Sequence, residues 1–546
     1  MPAKSLSSEA RLITEPALPA TKPFWLAHYS ALLAGVYVVC GLMVFRHYQY
    51  KLFPDTTSYI SIAQKYVEGD VWNAVNSYWA PLLSWAMVPF LALGFDPLQA
   101  IKLVAIGAGA ATIFAAGSLF AAFPIAPPLR RLMQLALVPA ILYFSMSMAT
   151  PDLLPTALLT AYFAVIFRQN YAASPANGVL CGVLGGVAYL SKHYALPFFV
   201  IHFLVLNAWH YWSNRGGSRI LKHTIGGLLA CGLIAAPWVA AISAKYGEPT
   251  IGTSGARTHA YMGPQSRGDT FAHGLVAPQN PTAISAWEDP ATDMLEPWSP
   301  FESLENFRFH LGLVLRNSME ALRALLVFSP ISVVIAAAYI GWIKRIDVRG
   351  AWLLPFTMVL YTAGYVSILI EERYLWPLSI LLMLMAGLLL TFAPRLISLG
   401  ESARRMVAAA CLGSFVLGPA FKLAQEFNSG ADLYELATLL HRRYGVHGNI
   451  AAHNQYKPPL YMTCFIGGRF VGTSDRKLPE ERIESELLEH DVDYYLVWTG
   501  RRARHEPIPE FLNAYREVTG GDLPELRVYA MKERNGRSPD GGNGGE

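Results

Sequence analysis

Apolar runs that meet or approach the roughly 20 residues needed to cross a bilayer recur along this chain. They start near Trp25, Leu98, Leu129, Leu153, Asn177, Tyr194, Thr224, Ala321, Ala351, Tyr374 and Met406. The spacing predicts an all-α polytopic membrane protein with about eleven transmembrane helices. Composition agrees, with 53% hydrophobic and only 15% charged residues in 546. The formal net charge is +4, and the basic residues sit in short clusters between apolar runs. That pattern excludes nucleic acid as a partner and leaves the lipid bilayer as the environment to be read.

Basic residues set the orientation. Lys4, Arg11 and Lys22, then Arg130 and Arg131, Arg168, Arg215, Arg219 and Lys222, Lys344, Arg345 and Arg349, and Arg395, Arg404 and Arg405 fall in alternate connections. The positive-inside rule makes those connections cytoplasmic and places everything after Lys422 outside. Residues 1–22 form a polar cytoplasmic segment before an uncleaved first helix, and residues 23–425 form the membrane domain. The stretch Pro81–Leu93 is too short to span and carries Pro81 and Pro89, so it is expected at the interface. Ile60, Ala63 and Val67 recur at helical spacing opposite Ser61, Gln64, Lys65 and Glu68. The first external loop, 46–97, is therefore expected to hold two surface helices.

A second external loop, 245–320, is rich in Trp, Pro, Gly and acidic residues and shows no strong helical period before Phe301. Beyond it, residues 430–534 alternate helical runs (Ala431–Arg443, Pro479–His490, Pro509–Val518) with strand-like ones (Asn449–Ala452, Val492–Trp498, Leu526–Met531). A small soluble α/β domain is predicted there, followed by a disordered tail, 535–546. Four of the five cysteines, Cys40, Cys181, Cys231 and Cys411, fall in apolar runs. Cys464 thus lacks a partner, and a disulfide framework or cysteine-based zinc site is excluded for the soluble domain.

Ionisable residues avoid the middle of the spans and collect at their outer ends. Asp55 follows the first span in Phe53-Pro54-Asp55-Thr56-Thr57, and Asp152 opens the fourth in Thr150-Pro151-Asp152-Leu153. Both also read as helix N-caps. Lys192 and His193 stand at one tight external turn, and Glu371, Glu372, Arg373 and Tyr374 at another. Snorkelling at the interface is the plain reading of the two cations, although external basic residues run against the positive-inside rule. Carboxylates beside cations at one rim suit transfer of a group from a phosphate to a hydroxyl: a base takes the proton while cations stabilise phosphate charge. Such a donor is an amphiphile. His202, inside the sixth span, reads as a hydrogen-bonded structural residue.

The chain resembles the GT-C superfamily of polyprenyl-phosphate-sugar-dependent glycosyltransferases, particularly bacterial members related to protein mannosyltransferases and to lipid A aminoarabinose or galacturonic acid transferases. The resemblance covers about Trp25 to Leu423. It rests on Asp55 with Tyr59 one turn on, the two surface helices, Tyr78-Trp79-Ala80-Pro81-Leu82-Leu83, Pro151-Asp152, Leu190-Ser191-Lys192 and Glu372-Arg373-Tyr374-Leu375-Trp376-Pro377. It implies an inverting enzyme of a bacterial inner membrane, working on the outer, periplasmic face with the C-terminal domain on that side. A polyprenyl-phosphate sugar is the implied donor, and a glycan, glycolipid or protein hydroxyl the acceptor.

By the same resemblance Asp55 is the base and Asp152 assists, the two together implied as ligands of a divalent metal (Mg, Mn or Zn). Lys192, His193, Arg373 and Tyr374 look like donor-phosphate contacts, and Tyr59 and Trp79 like sugar or acceptor contacts. In the long loop, Arg257, His259, Tyr261, Asp269, His273, Trp287, Glu288, Asp289 and Trp298 are candidates for a lid or acceptor wall, because sugars pack on aromatic faces; His259 and Trp287 are taken as acceptor contacts. A transporter or flippase of a lipid-linked sugar is the alternative. It predicts ionisable or helix-breaking residues near the bilayer middle and paired repeats, which the sequence does not show. A membrane sensor explains the tail but not the charges at the rim.

Overall fold

The computed structural model describes residues 24–534 apart from 215–216, 267, 269, 291–294, 347, 397–399 and 501–506. The segments 1–22 and 535–546 therefore lie outside the described residues, as do Arg215 and Asp269. Each expected apolar run falls on helix, although the run from Ala321 straddles the end of one helix and the whole of the next. Seven are long and apolar enough to cross a bilayer: His28–His47, Pro97–Ala121, Pro127–Ser147, Ala195–Ser213, Arg219–Tyr246, Glu372–Phe392 and Glu401–Gln425. The pair Leu304–Phe328 and Ser332–Arg345, bent by 101°, makes an eighth if it is one broken span.

The other three runs form the shorter helices Leu153–Ile166, Pro175–Ser191 and Leu353–Val366. At about 1.5 Å per residue, a 14-residue helix such as Leu153–Ile166 reaches only about 21 Å. Its residues are almost all buried, so its ends face protein rather than lipid, and a full hydrocarbon-spanning length is not required of it. Helix Pro175–Ser191 packs on Gly217–Tyr246 backbone to backbone. A Cβ at Gly182 would stand 1.9 Å from the Gly227 carbonyl oxygen. Small residues permit this close approach. Gly182→Val is accordingly expected to cost about 1–3 kcal/mol through overpacking, read as a fall in Tm of the detergent-solubilised protein.

Both surface helices of the first external loop are present, as Pro54–Glu68 and Leu82–Ala92. The first is buried on both faces: Ile60 and Ala63 are covered as their spacing predicts, and part of the polar face is covered as well. Val67 is 43% exposed, whereas Ser61 and Lys65 are 2% and 1% exposed. The polar face is covered because the long loop lies on it: Lys65 Nζ meets Glu288 Oε1 at 2.5 Å and donates to Ser61 Oγ at 3.0 Å. An ion pair between segments far apart in sequence thus lies over the polar face, while Ile60 and Ala63 stay buried on the other.

The long loop is also more ordered than its composition suggests. It contains helix Ser254–Tyr261 and a short strand, β1 (Gly274–Leu275). That strand joins the C-terminal sheet of β2 (Asn449–Ala452), β3 (Arg469–Thr473), β4 (Tyr494–Trp498), β5 (Tyr515–Glu517) and β6 (Leu526–Arg534), in the order β1-β3-β2-β4-β6-β5. β2 is parallel to both β3 and β4, while β1, β5 and β6 pair antiparallel to their neighbours. β1 covers what would be the free edge of β3.

The expected helix Pro509–Val518 is instead a 3-10 turn, Glu510–Ala514, running into β5. Pairing with β6 overrides the local helical pattern there. Helix Lys457–Ile466 and strand β3 had no counterpart in the sequence reading. This helix places Tyr461 and Phe465 against the cluster of Tyr59, Ile60, Ala63 and Trp79, so the C-terminal domain packs on the first loop and holds the second.

Candidate active site

Four segment ends converge at one rim of the helix bundle. The first turn of Pro54–Glu68 brings Asp55, the start of Leu153–Ile166 brings Asp152, the end of Pro175–Ser191 brings Lys192, and the turn before Trp376–Leu396 brings Arg373. Pro54 starts its helix one residue before Asp55, Pro151 precedes Asp152 in the turn that leads into Leu153–Ile166, and Lys192 leaves its helix in extended geometry.

Arg373 binds three carboxylates at once. Its guanidinium stands 2.8 Å from Asp55 Oδ2, 2.7 Å from Glu371 Oε2 and 3.7 Å from Asp152 Oδ2. Lys192 donates to Asp152 Oδ1, and Thr150 Oγ1 donates to Asp152 Oδ2 at 2.9 Å. Trp287 Nε1 donates to Asp55 Oδ1 at 3.3 Å.

These contacts decide between the alternatives posed by sequence. Asp55 is not an N-cap, since that position is Phe53, and Asp152 stands at the N-cap position without a side-chain capping bond. Arg373 does not snorkel either: its side chain is 6% exposed and turned into the protein. Burial by itself would lift the Asp152 carboxyl, but Lys192, Arg373 and the Thr150 hydroxyl together bring it below its ordinary value, so it is held as the carboxylate.

An open cavity is lined by Asp55, Tyr59, Trp79, Asp152, Lys192, His193, Arg373 and Tyr374, all expected from sequence. Its walls are aromatic. Lys192 Nζ lies 3.6 Å from the centroid of Tyr374, which stacks on Tyr365 at 4.8 Å, and Tyr59 meets Trp79 edge-on at 5.2 Å. Such faces suit a sugar ring, and cations at the base of the cavity suit a phosphate. Guanidinium and ammonium groups carry five and three donors, more than the carboxylate contacts described use. His193 enters the cavity as a neutral group, because burial pushes its imidazole down to about 4. Neither ring nitrogen has a hydrogen-bond partner, so it offers polarity without charge.

Other expectations are redistributed. His259 does not line the cavity; it stacks on Trp298 at 4.5 Å, and its carbonyl accepts from Trp298 Nε1. The long loop contributes Ser254, Gly255 and Thr258 to the lining instead. Arg257 sits 5.2 Å over Trp287, and Asp289 accepts from Tyr246 at 2.8 Å, so both brace the loop. His202 is hydrogen-bonded through both ring nitrogens, to Tyr162 at 2.7 Å and Thr357 at 2.8 Å.

Among the described residues no group of three or more His, Cys, Asp or Glu side chains is placed to hold a metal ion. Asp55 and Asp152 are each already bonded to a cation, and Arg373 links them, so the pair does not fit a divalent ion. Three features escaped the sequence reading: the parts played by Thr150 and Tyr365, and the pairing of Lys65 with Glu288. Only Thr150, two residues from Asp152, carried a local signal.

No family model matches this chain, and no curated protein sequence does. Solved structures do share its fold. ArnT from Cupriavidus metallidurans bound to undecaprenyl phosphate aligns with a TM-score of 0.57 at 14% identity, over 93% of this chain and 98% of that one. The same protein in its apo state gives 0.51 over the same shares. An Archaeoglobus fulgidus oligosaccharyltransferase in complex with Zn and sulfate gives 0.54 at 11% identity, over 86% and 68%.

Proposed function

We propose, starting from the GT-C fold that this chain shares with those structures, that it is an inverting glycosyltransferase taking a sugar from a polyprenyl-phosphate donor to a hydroxyl acceptor. The acceptor is a glycan, glycolipid or protein at the outer face of a bacterial inner membrane, with the C-terminal domain periplasmic. The observation that carries this reading is the ion-paired set Asp55, Arg373, Asp152 and Lys192 in an aromatic cavity at the ends of the apolar helices. The ArnT structure contains undecaprenyl phosphate, the kind of lipid whose headgroup this cavity suits.

In the step proposed, the acceptor oxygen attacks the anomeric carbon from the face opposite the phosphate. Its proton passes to an Asp55 oxygen, the bond from the anomeric carbon to the phosphate oxygen breaks, and that electron pair leaves with the lipid phosphate. Lys192 and Arg373 stabilise the charge gained by the departing phosphate. Asp152 keeps both cations oriented. One base is enough, because a phosphate needs little help from an acid in order to leave.

The test is turnover of undecaprenyl-phosphate-linked sugars by the full chain in bilayer nanodiscs, reading released undecaprenyl phosphate and the configuration of the product by NMR. The expected product has the opposite anomeric configuration to the donor. Retention of configuration would remove the single-displacement step. No release from any such sugar, together with unchanged envelope glycans in cells lacking the chain, would remove the enzyme reading itself.

A further inference from the structure

We propose that Lys65, Glu288 and Trp287 form a positioning device for Asp55, in which a buried ion pair seats the long loop so that the Trp287 indole holds one oxygen of that carboxylate. The other oxygen is held by Arg373 at 2.8 Å. The device rests on Asp55 being the base of the reaction proposed above.

The ion pair itself is the first observation. Lys65 and Glu288 are 1% and 2% exposed and 2.5 Å apart. A pair so deeply buried is a poor source of stability, because desolvating both charges offsets most of their attraction. What such a pair does supply is a unique register between two segments. Here it joins helix Pro54–Glu68, which carries Asp55, to the loop that carries Trp287.

Everything around the indole is similarly tied. The Trp287 carbonyl accepts from Ser58 Oγ at 3.0 Å and from Trp79 Nε1 at 3.2 Å, and the Glu288 carbonyl accepts from Asn76 Nδ2 at 2.6 Å. Glu288 Oε2 accepts from the Ile284 amide at 3.3 Å. The ring is walled by Tyr78, Trp79 and Phe271 at 5.6–5.7 Å, with the Arg257 guanidinium 5.2 Å from its centroid. Behind it, the amides of Phe470 and Val276 bond Ile284 and Val471 carbonyls across the loop and β3, both at 2.7 Å.

The Trp287 N–H therefore has little freedom to leave Asp55 Oδ1 unless the loop moves as a whole. A carboxylate oxygen has two lone pairs. With Oδ1 held by the loop and Oδ2 by Arg373, the plane of the carboxylate is fixed, and each oxygen keeps a lone pair for an acceptor hydroxyl. Trp287 is in this sense a positioning residue, not an acceptor contact.

The experiment uses the full chain in nanodiscs and a panel of undecaprenyl-phosphate sugars, comparing Trp287→Phe, Glu288→Gln and Asp55→Asn. Phenylalanine keeps an aromatic ring in the box and removes only the N–H. Because small misplacements of a reacting group cost up to about 100-fold, Trp287→Phe is expected to lower kcat about 10- to 100-fold. Its donor KM should stay within about twofold, as befits an interaction that matters only in the transition state. Glu288→Gln should lower kcat likewise and speed amide exchange over residues 276–290, which Trp287→Phe should leave slow. A Trp287→Phe enzyme with normal kcat, or one defective only in KM, would overturn the device while an inactive Asp55→Asn leaves the function intact. An active Asp55→Asn would overturn the base and the device together.

Discussion

Asp55→Asn is expected to lower turnover by about 10²–10⁴-fold, the range that general-base catalysis contributes, without unfolding the protein. The amide has the size of the carboxylate and can still accept from Trp287, so the local hydrogen-bond frame survives. Arg373 loses one partner but keeps Glu371 at 2.7 Å and Asp152 at 3.7 Å. Its charge is therefore not left alone. What disappears is the ability to take a proton, together with one of the three ion pairs of Arg373. The checks are undecaprenyl phosphate release and Tm, measured on the same preparation. Turnover within about threefold of wild type would remove Asp55 from the role of base, since a lost base is worth about 10²-fold or more.

Arg373→Met should be the most damaging single change to stability in the site. Removing one partner of a buried ion pair typically costs about 3–5 kcal/mol, because the remaining charge is left uncompensated. Here Asp55 would lose its charged partner, and Asp152, 3% exposed, would keep only Lys192. Activity should be lost as well, through loss of the donors that face a departing phosphate. Arg373→Lys separates the two effects. It restores the charge but not the planar fork that spans Asp55 and Glu371, so stability should recover further than activity. An Arg373→Met protein with unchanged Tm would mean that these carboxylates do not depend on the guanidinium.

Much of this molecule could be read from residue order because the bilayer imposes a simple rule. About 20 apolar residues must be spent on each crossing, and the starts of the spans are therefore visible without tertiary information. The same rule pushes ionisable side chains to the ends of spans, which is why Asp55, Asp152, Lys192 and Arg373 stood out. Their separate appearance at one rim was enough to suggest a phosphate-and-base chemistry. Nothing in their spacing said that Arg373 would bond Asp55 and Glu371 at once, or that Lys192 would take Asp152.

The loops were harder. Ile60, Ala63 and Val67 gave an apolar stripe, and Ile60 and Ala63 are indeed hidden, yet Val67 is exposed and Lys65, on the polar face, is buried. The decision was made by Glu288, 223 residues away, whose carboxylate meets Lys65 under the long loop. His259 and Trp287 looked equivalent in a polar, aromatic loop. One stacks on Trp298 and the other reaches Asp55, a difference that goes with the bonds of Trp287 and Glu288 to Ser58, Lys65 and Asn76. Likewise Pro509–Val518 carries a helical pattern that yields to β6.

By itself, then, the sequence determined the membrane class, the position of most apolar helices, the C-terminal α/β layer and the charged residues at the rim, because hydrophobic length and the cost of burying charge act on each segment alone. Only the tertiary structure decided which cation meets which carboxylate, which face of Pro54–Glu68 is covered and which tryptophan touches Asp55. Those outcomes depend on contacts between segments hundreds of residues apart, whose energies exceed local preference and leave no periodic trace in the chain.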